Sequence, residues 1–445
     1  MSEMLSKLAR PIGVIIVLLL LTGLGVFLAA RQENAELDWR AVTGVRPQIV
    51  GPQQERIPTV AIAKPVDWGN ARPVAAAGLK VQAFASGLDH PRWLNQLPNG
   101  DILVAESNSP PRPKRGITDV VMGWLMGRAG AGTPSANRIT LLRDANGDGV
   151  AEVRSVLISG LNSPHGMALI GNRLFVANTD AIVAFPYQPG QTRITAKPEK
   201  IVGLPGGGNH WARNLLASPD GRLLYVTVGS ASNIGEKGME LEERRAAILE
   251  VYPEGKTLRI YSAGLRNPNG IAWEPNSKTL WTTVNERDML GGDGPPDYLT
   301  FVDFGGFYGW PYSYWGGFVD RRVEPQRPDL LEYTRRPDYA LGAHTAPLGL
   351  QFANGANLGP QFANGAFVAL HGSWNRKPMV GYKVVYIPFD AKGAPVKNAK
   401  PVDLLAGFLT DDQKTRGRPA GLALDKTGAL LVADDVGNRI WRVSR

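Results

Sequence analysis

NPNGIAWEPNSKTLWTTVN, residues 267–285, reads as two short strands joined by a tight polar turn. The unit recurs as HPRWLNQLPNGDILVAES (90–107), SPHGMALIGNRLFVANT (163–179) and HWARNLLASPDGRLLYVTVG (210–229). It appears again as APLGLQFANG with GAFVALHG (346–355 and 365–372), and as RPAGLALDKTGALLVADD (418–435). Aligning the turns puts Trp93, Gly166, Asn214, Gly270, Gly349 and Gly421 in one register, at spacings of 73, 48, 56, 79 and 72 residues. Each interval has room for a four-stranded sheet. Helical periodicity is confined to Ile117–Met126 and Glu240–Leu249. An all-β chain with a unit repeated six times is expected to form a six-bladed β-propeller. Pairing Arg439–Val443 with Lys80–Phe84 would close the ring and leave no open sheet edge.

The 52 glycines and 34 prolines among 445 residues supply the turns of that repeat. A 43% hydrophobic content rules out wholesale disorder. With no cysteine, disulfides, thiolate metal sites, a cysteine nucleophile and a fused c-type haem domain are all excluded. The net charge of +9 is spread along the chain, densest at Pro111–Arg115, and has no basic tail of the nucleic-acid-binding kind.

Ile12–Ala30 is a run of nineteen uncharged residues, long enough to cross a bilayer as a helix. Lys7 and Arg10 before it orient the rest of the chain to the exported, periplasmic side. The organisation expected is a cytoplasmic stub and transmembrane anchor (1–31), a polar tether with an edge-packing segment (32–74) and a propeller (75–445). The alternative is a cleaved signal that leaves a secreted protein.

In a propeller, residues just before each innermost strand face a shared funnel. Four positions back from the register residues lie Asp89, Asn162, His210, Arg266, Thr345 and Gly417, the last flanked by Arg416 and Arg418. Converging arginines suit a carboxylate-bearing ligand. A histidine beside them suits a general base. Of the other histidines, His165 and His371 are candidates for the site, and His90 and His344 read as turn residues.

GLRNPNGIAW (264–273), GGFYGWP (305–311), HWARNLLASPDG (210–221) and RGR (416–418) together resemble the glucose/sorbosone dehydrogenase family. Asn285-Glu286-Arg287-Asp288 with PPDYLT (295–300) is most similar to its membrane-anchored, sorbosone-type branch. The resemblance spans roughly residues 78–445. It implies oxidation of a sugar or sugar-derived aldehyde, with pyrroloquinoline quinone and calcium as cofactors and a separate electron acceptor, the quinone pool or a cytochrome. His210 would be the base, aided by Arg266. Arg266, Asn267, Arg416 and Arg418 would hold the quinone, with Arg376 or Lys377 in place of the family's lysine. Backbone carbonyls at Asn285, Glu286 and Arg287 would hold the catalytic calcium, and Asp297 and Tyr308 would lie by a structural one. The family's acidic partner of the histidine is missing; Gly229 and Ser230 stand there, so Asn209 is the expected substitute. Arg287 beside a metal would need an acidic neighbour.

Two other readings differ in class. One is a non-catalytic binding propeller. The other is a calcium-dependent lactonase-type hydrolase using Glu286, Asp297 and Asp89. Asp144–Gly149, with Glu152, resembles half an EF-hand loop but reads better as a surface hairpin. The insert 109–136 is expected to cap the funnel, touch the bilayer or pack between blades.

Overall fold

The computed structural model describes residues 14–23, 25, 35–55, 58–111 and 116–445. Six antiparallel sheets form the ring, and their innermost strands are Pro91–Gln96, Met167–Ile170, Leu215–Ala217, Asn267–Trp273, Pro347–Phe352 and Pro419–Leu424. All six register residues lie in these strands or immediately before them. Four register residues are glycines because inner strands meet closely there. A Cβ on Gly166 would lie 2.1 Å from the Leu215 nitrogen, and one on Gly349 would lie 2.3 Å from the Ala420 carbonyl. One on Gly421 would lie 2.8 Å from Trp93 Cα, which completes the circle.

Alternation along the strands sends side chains into the two flanking gaps. Six hydrophobic clusters result, one per gap. Trp93, Leu141 and Phe185 fill the first, between the first and second blades. Phe367, Tyr386, Leu422 and Trp441 fill the gap between the fifth and sixth. The ring closes as the sequence predicts: Arg439–Ser444 pairs antiparallel with Lys80–Ser86, from Arg439 opposite Ser86 to Ser444 opposite Lys80.

Two expectations are corrected. Glu240–Leu249 is not a helix; a short 3-10 turn at Met239–Glu242 leads into the strand Ala247–Tyr252. Ile117–Arg128 is helical, as expected. The edge packing expected within 32–74 extends along its described part, so the tether is a strap. Thr43–Gly44 adds an edge strand to the fourth blade and Val74–Ala75 one to the fifth. Between them, Trp68 is buried and donates its indole N–H to Asp434 Oδ2 at 2.8 Å. At the N-terminal end, residues 14–23 are helical, and the rest of the proposed span lies largely outside the described residues. Among the described residues no helix is long and apolar enough to cross a membrane.

Candidate functional site

Each blade is a meander, so the start of its first strand and the end of its second lie on one face. Two rings of residues therefore meet at the funnel. The starts supply His90, Arg92, His165, His210, Arg266, His344 and Arg418. The ends supply Ser230, Asp288, His371 and Asp435.

His210 is fixed by the missing acid's replacement. Its Nδ1 lies 2.8 Å from the Ser230 carbonyl and 3.1 Å from Ser230 Oγ. The hydroxyl donates to the Ser232 carbonyl at 2.6 Å, so both serine oxygens face Nδ1 as acceptors. Nδ1 therefore carries the proton, and Nε2 is the nitrogen able to accept one. Asn209 is not the partner; its side-chain oxygen accepts from Lys237 Nζ at 2.9 Å. Glu242 braces the serine loop by accepting the Ala231 N–H at 2.7 Å and the Ser232 hydroxyl at 2.5 Å. Behind the histidine, the buried Arg213 donates to the His210 carbonyl at 2.9 Å. Asn267 and His210 meet over Gly229, whose missing Cβ would lie 2.3 Å from Asn267 Oδ1 and 2.6 Å from His210 Cβ.

Arg266 sits in a nest of oxygens. It donates to Asp288 Oδ2 at 3.0 Å, to Asn233 Oδ1 at 2.8 Å and to the Glu286 carbonyl, with the Asn285 carbonyl at 3.5 Å. Burial opposes ionisation of Asp288, but Arg266 and His344 outweigh it and hold the carboxyl below its usual range. Burial likewise opposes a charge on His344, and Asp288 at 3.6 Å overrides it and raises the imidazole.

Asp435 organises the opposite wall. It pairs with Arg92, with His371 Nε2 at 2.8 Å and with His90 Nε2 at 3.6 Å. Burial, reinforced by Arg92 and Arg418, brings His371 down to about 4, so it is neutral at neutral pH. Arg92 lies over the Trp211 ring at 5.7 Å, and His165 lies between Trp93 and Trp211. Arg418 donates to the Tyr382 hydroxyl at 3.0 Å. His90 and His344 do occupy left-handed turns, at φ 54° and 60°, but their rings also join the site. Arg92, Asp288 and Asp435 were missed by the sequence reading. The signal was present: Arg92 stands at the start of the first strand, and Asp288 and Asp435 follow the second strand, of the aligned repeat.

Other expected site residues lie elsewhere. Arg376 is buried and donates to Asp293 Oδ1 at 2.7 Å and to the Leu37 carbonyl at 2.9 Å; it fastens the strap and does not face the funnel. Lys377 is exposed, and its carbonyl accepts the Ala35 N–H at 2.8 Å. The Arg287 guanidinium turns away to Glu286, Asp320 and the carbonyls of Pro311 and Ser313, which supplies the acidic neighbours it was expected to need. Asp297 accepts the Glu286 and Ala346 N–H groups at 2.7 and 2.8 Å, and burial raises it to about 7. Tyr308 donates to the Phe301 carbonyl. Asn285 donates to the Pro347 carbonyl at 2.8 Å. Asp89 pairs with Arg138 on the surface at 2.7 Å. The carboxylates a lactonase-type metal centre would need therefore do not converge. Arg416 stands partly buried beside Gly417, and its backbone N–H bonds the Phe408 carbonyl at 2.7 Å. In the outer hairpin of the first blade, oxygens of Asp144, Asp148 and Glu152 lie within 4.8 Å of one another, remote from the funnel strands.

Two cofactors are implied, and the donor set answers them differently. A planar tricarboxylate fits. Arg92 Nε, Arg418 Nε and His165 Nδ1 are buried without hydrogen-bond partners among the described residues, and Arg92 and His165 lie against Trp211. Calcium at the Asn285–Glu286 carbonyls does not fit the site as it stands, because Arg266 engages both.

The profile of the TrAA12-like family matches residues 135–295 and 331–445. A relative described as pyrroloquinoline quinone-dependent pyranose dehydrogenase, from Coprinopsis cinerea, is 25% identical over 434 residues, which cover 83% of this chain and 54% of that protein. The chain thus spans about half the length of that relative. The solved holo PQQ domain of the C. cinerea pyranose dehydrogenase superposes with a TM-score of 0.66 at 23% identity, covering 84% of this chain and 97% of that domain. A Trichoderma reesei family AA12 structure superposes with a TM-score of 0.67 at 20% identity, covering 84% and 97%. These likenesses agree with the six-bladed architecture and with the kinship read from the motifs, and the profile places it: the chain belongs to the TrAA12-like family.

Proposed function

We propose that this protein is a quinone-dependent oxidoreductase that oxidises a sugar or sugar-derived aldehyde hydrate at the funnel. The observation that carries this reading is an imidazole with its proton fixed on Nδ1 by Ser230, beside a funnel lined by Arg92, Arg266 and Arg418. Arg92 and Arg418, with Arg416 beside them, would hold the carboxylates of pyrroloquinoline quinone, with Trp211 against its plane. When bound, the quinone supplies the hydride-accepting centre. His210 Nε2 takes the hydroxyl proton of the substrate as the C–H bond gives up its hydride. Arg266 and Asn267 stabilise the negative charge that develops beside them. The two-electron product is a lactone or acid. Electrons then pass to a separate acceptor, the quinone pool or a cytochrome.

Calcium enters this reading only by taking the Asn285 and Glu286 carbonyls from Arg266. The apolar run Ile12–Ala30 supports a membrane anchor, with the propeller on the periplasmic side. A quinone titration followed by absorbance, with dye-linked sugar oxidation, tests the function. Quinone binding and sugar-dependent dye reduction are expected; failure of both overturns the reading.

A further inference from the structure

The funnel face carries exposed apolar groups that the reaction does not use. The first blade's insert holds the helix Ile117–Arg128, where Val120, Trp124 and Met126 are about half exposed. Its C-terminal end is fixed at the funnel. Gly130 packs against Val436, next to Asp435, and against Pro65 of the strap. The third blade's segment that supplies Ser230 also exposes Met239 and Leu241. Like the helix, this segment follows the second strand of its blade, so both lie on the funnel side.

The chain's N-terminal part arrives on the same side. Ala35 N–H bonds the Lys377 carbonyl, and the N–H groups of Glu36 and Leu37 bond Asp293 Oδ2 at 2.7 and 3.1 Å. Lys377 and Asp293 both belong to segments that follow second strands. The apolar run ends at Ala30, five residues before Ala35, a reach of at most about 17 Å. Charge agrees: Arg112, Lys114 and Arg115 precede the helix in sequence, and Arg128 lies over the Trp124 ring at 4.8 Å. A tryptophan-bearing helix with three basic residues just before it in sequence, on the same side as an apolar tail, suits an anionic bilayer surface.

We infer that the propeller lies with its funnel face against a lipid bilayer, with the Trp124 helix and the Met239–Leu241 turn at the contact. The site then opens towards the membrane and any acceptor dissolved in it. This rests on the membrane-anchor reading above.

The absence of cysteine makes the test clean. Single Trp124→Cys, Leu241→Cys, Tyr252→Cys and Val396→Cys variants of the full chain are nitroxide-labelled and reconstituted into vesicles containing anionic lipid. All four positions are exposed, so the fold is undisturbed. Tyr252 ends the third strand of its blade and Val396 lies in the turn after another third strand, both at the opposite face. Labels at 124 and 241 are expected to gain accessibility to oxygen and lose it to a water-soluble nickel chelate, several-fold relative to detergent-free buffer. Labels at 252 and 396 are expected to stay aqueous. Vesicle-bound protein with all four labels aqueous overturns the orientation alone. Protein that does not float with the vesicles overturns the anchor, and the orientation with it.

Discussion

Ser230 presents both its carbonyl and its hydroxyl oxygen to His210 Nδ1, at 2.8 and 3.1 Å. A backbone acceptor thus fixes the tautomer where an acid would usually do so. The consequence is asymmetric. His210→Ala is expected to lower kcat by about a hundredfold to ten-thousandfold while leaving quinone binding in place. Ser230→Ala removes only the hydroxyl contact and is expected to cost about twofold to tenfold. Steady-state dye reduction on quinone-loaded variants checks both, and equal losses would contradict the role given to the carbonyl.

Arg266 engages the Asn285 and Glu286 carbonyls. Quinone affinity, read from its absorbance, is therefore expected to change by less than about threefold (about 0.7 kcal/mol) between added calcium and a chelator. A strict calcium requirement would mean that Arg266 leaves those carbonyls on loading. Arg266→Ala should weaken binding under either condition.

Gly229 marks a collision point. An added Cβ would fall 2.3 Å from Asn267 Oδ1. Gly229→Ala should cost about 1–3 kcal/mol by overpacking and depress activity further by displacing His210. Thermal denaturation and kcat measured on one preparation separate the two effects.

Arg376 is assigned to the strap, paired with Asp293 at 2.7 Å. Arg376→Ala leaves the buried Asp293 carboxylate without its counter-charge, held among the described residues only by the Glu36 and Leu37 N–H groups, and should destabilise the fold by about 3–5 kcal/mol. Quinone affinity of the variant that remains folded should match the wild type. A selective loss of quinone would return Arg376 to the funnel.

Asp297 titrates near 7 in the folded chain, raised by burial from an unfolded value of 3.8. Between these values the unfolded chain releases a proton that the native one keeps, so this group's contribution to stability falls as pH rises and levels off above about 7. The stability of Asp297→Asn relative to wild type should therefore climb from pH 4 to 7 and then plateau. Paired melting curves across that range decide it; a flat difference rejects the assignment.

Much of this was legible in the chain. Turn chemistry and alternation are local, so the blades and the closing strand pair could be read from single segments, as could His210, Arg266 and Arg418. The partners of those residues were not legible. Asp288 reaches Arg266 across neighbouring strands, and Asp435 reaches Arg92 across the ring closure. Arg376 was misread, and the far partner of Arg287 was not foreseen, because position along the chain does not give side-chain direction. Each turns to a distant buried acid, Asp320 or Asp293. The strap was legible only in part, as edge packing, for the same reason. Residues 35–75 lack internal periodicity, and their order comes from bonds to Asp293, Thr415 and Asp434.

The pairing of Arg439–Ser444 with Lys80–Ser86 also sets a schedule. A chain delivered N-terminus first must hold Lys80–Ser86 unpaired until Arg439–Ser444 emerges. Through that interval the ring is an open arc with two bare flanks, where a second copy could add its own strand. The safest quality check on a preparation is accordingly at the seam. Deleting residues 439–445 should turn monomers into exchanged dimers or aggregates, even though every residue of the catalytic funnel remains present.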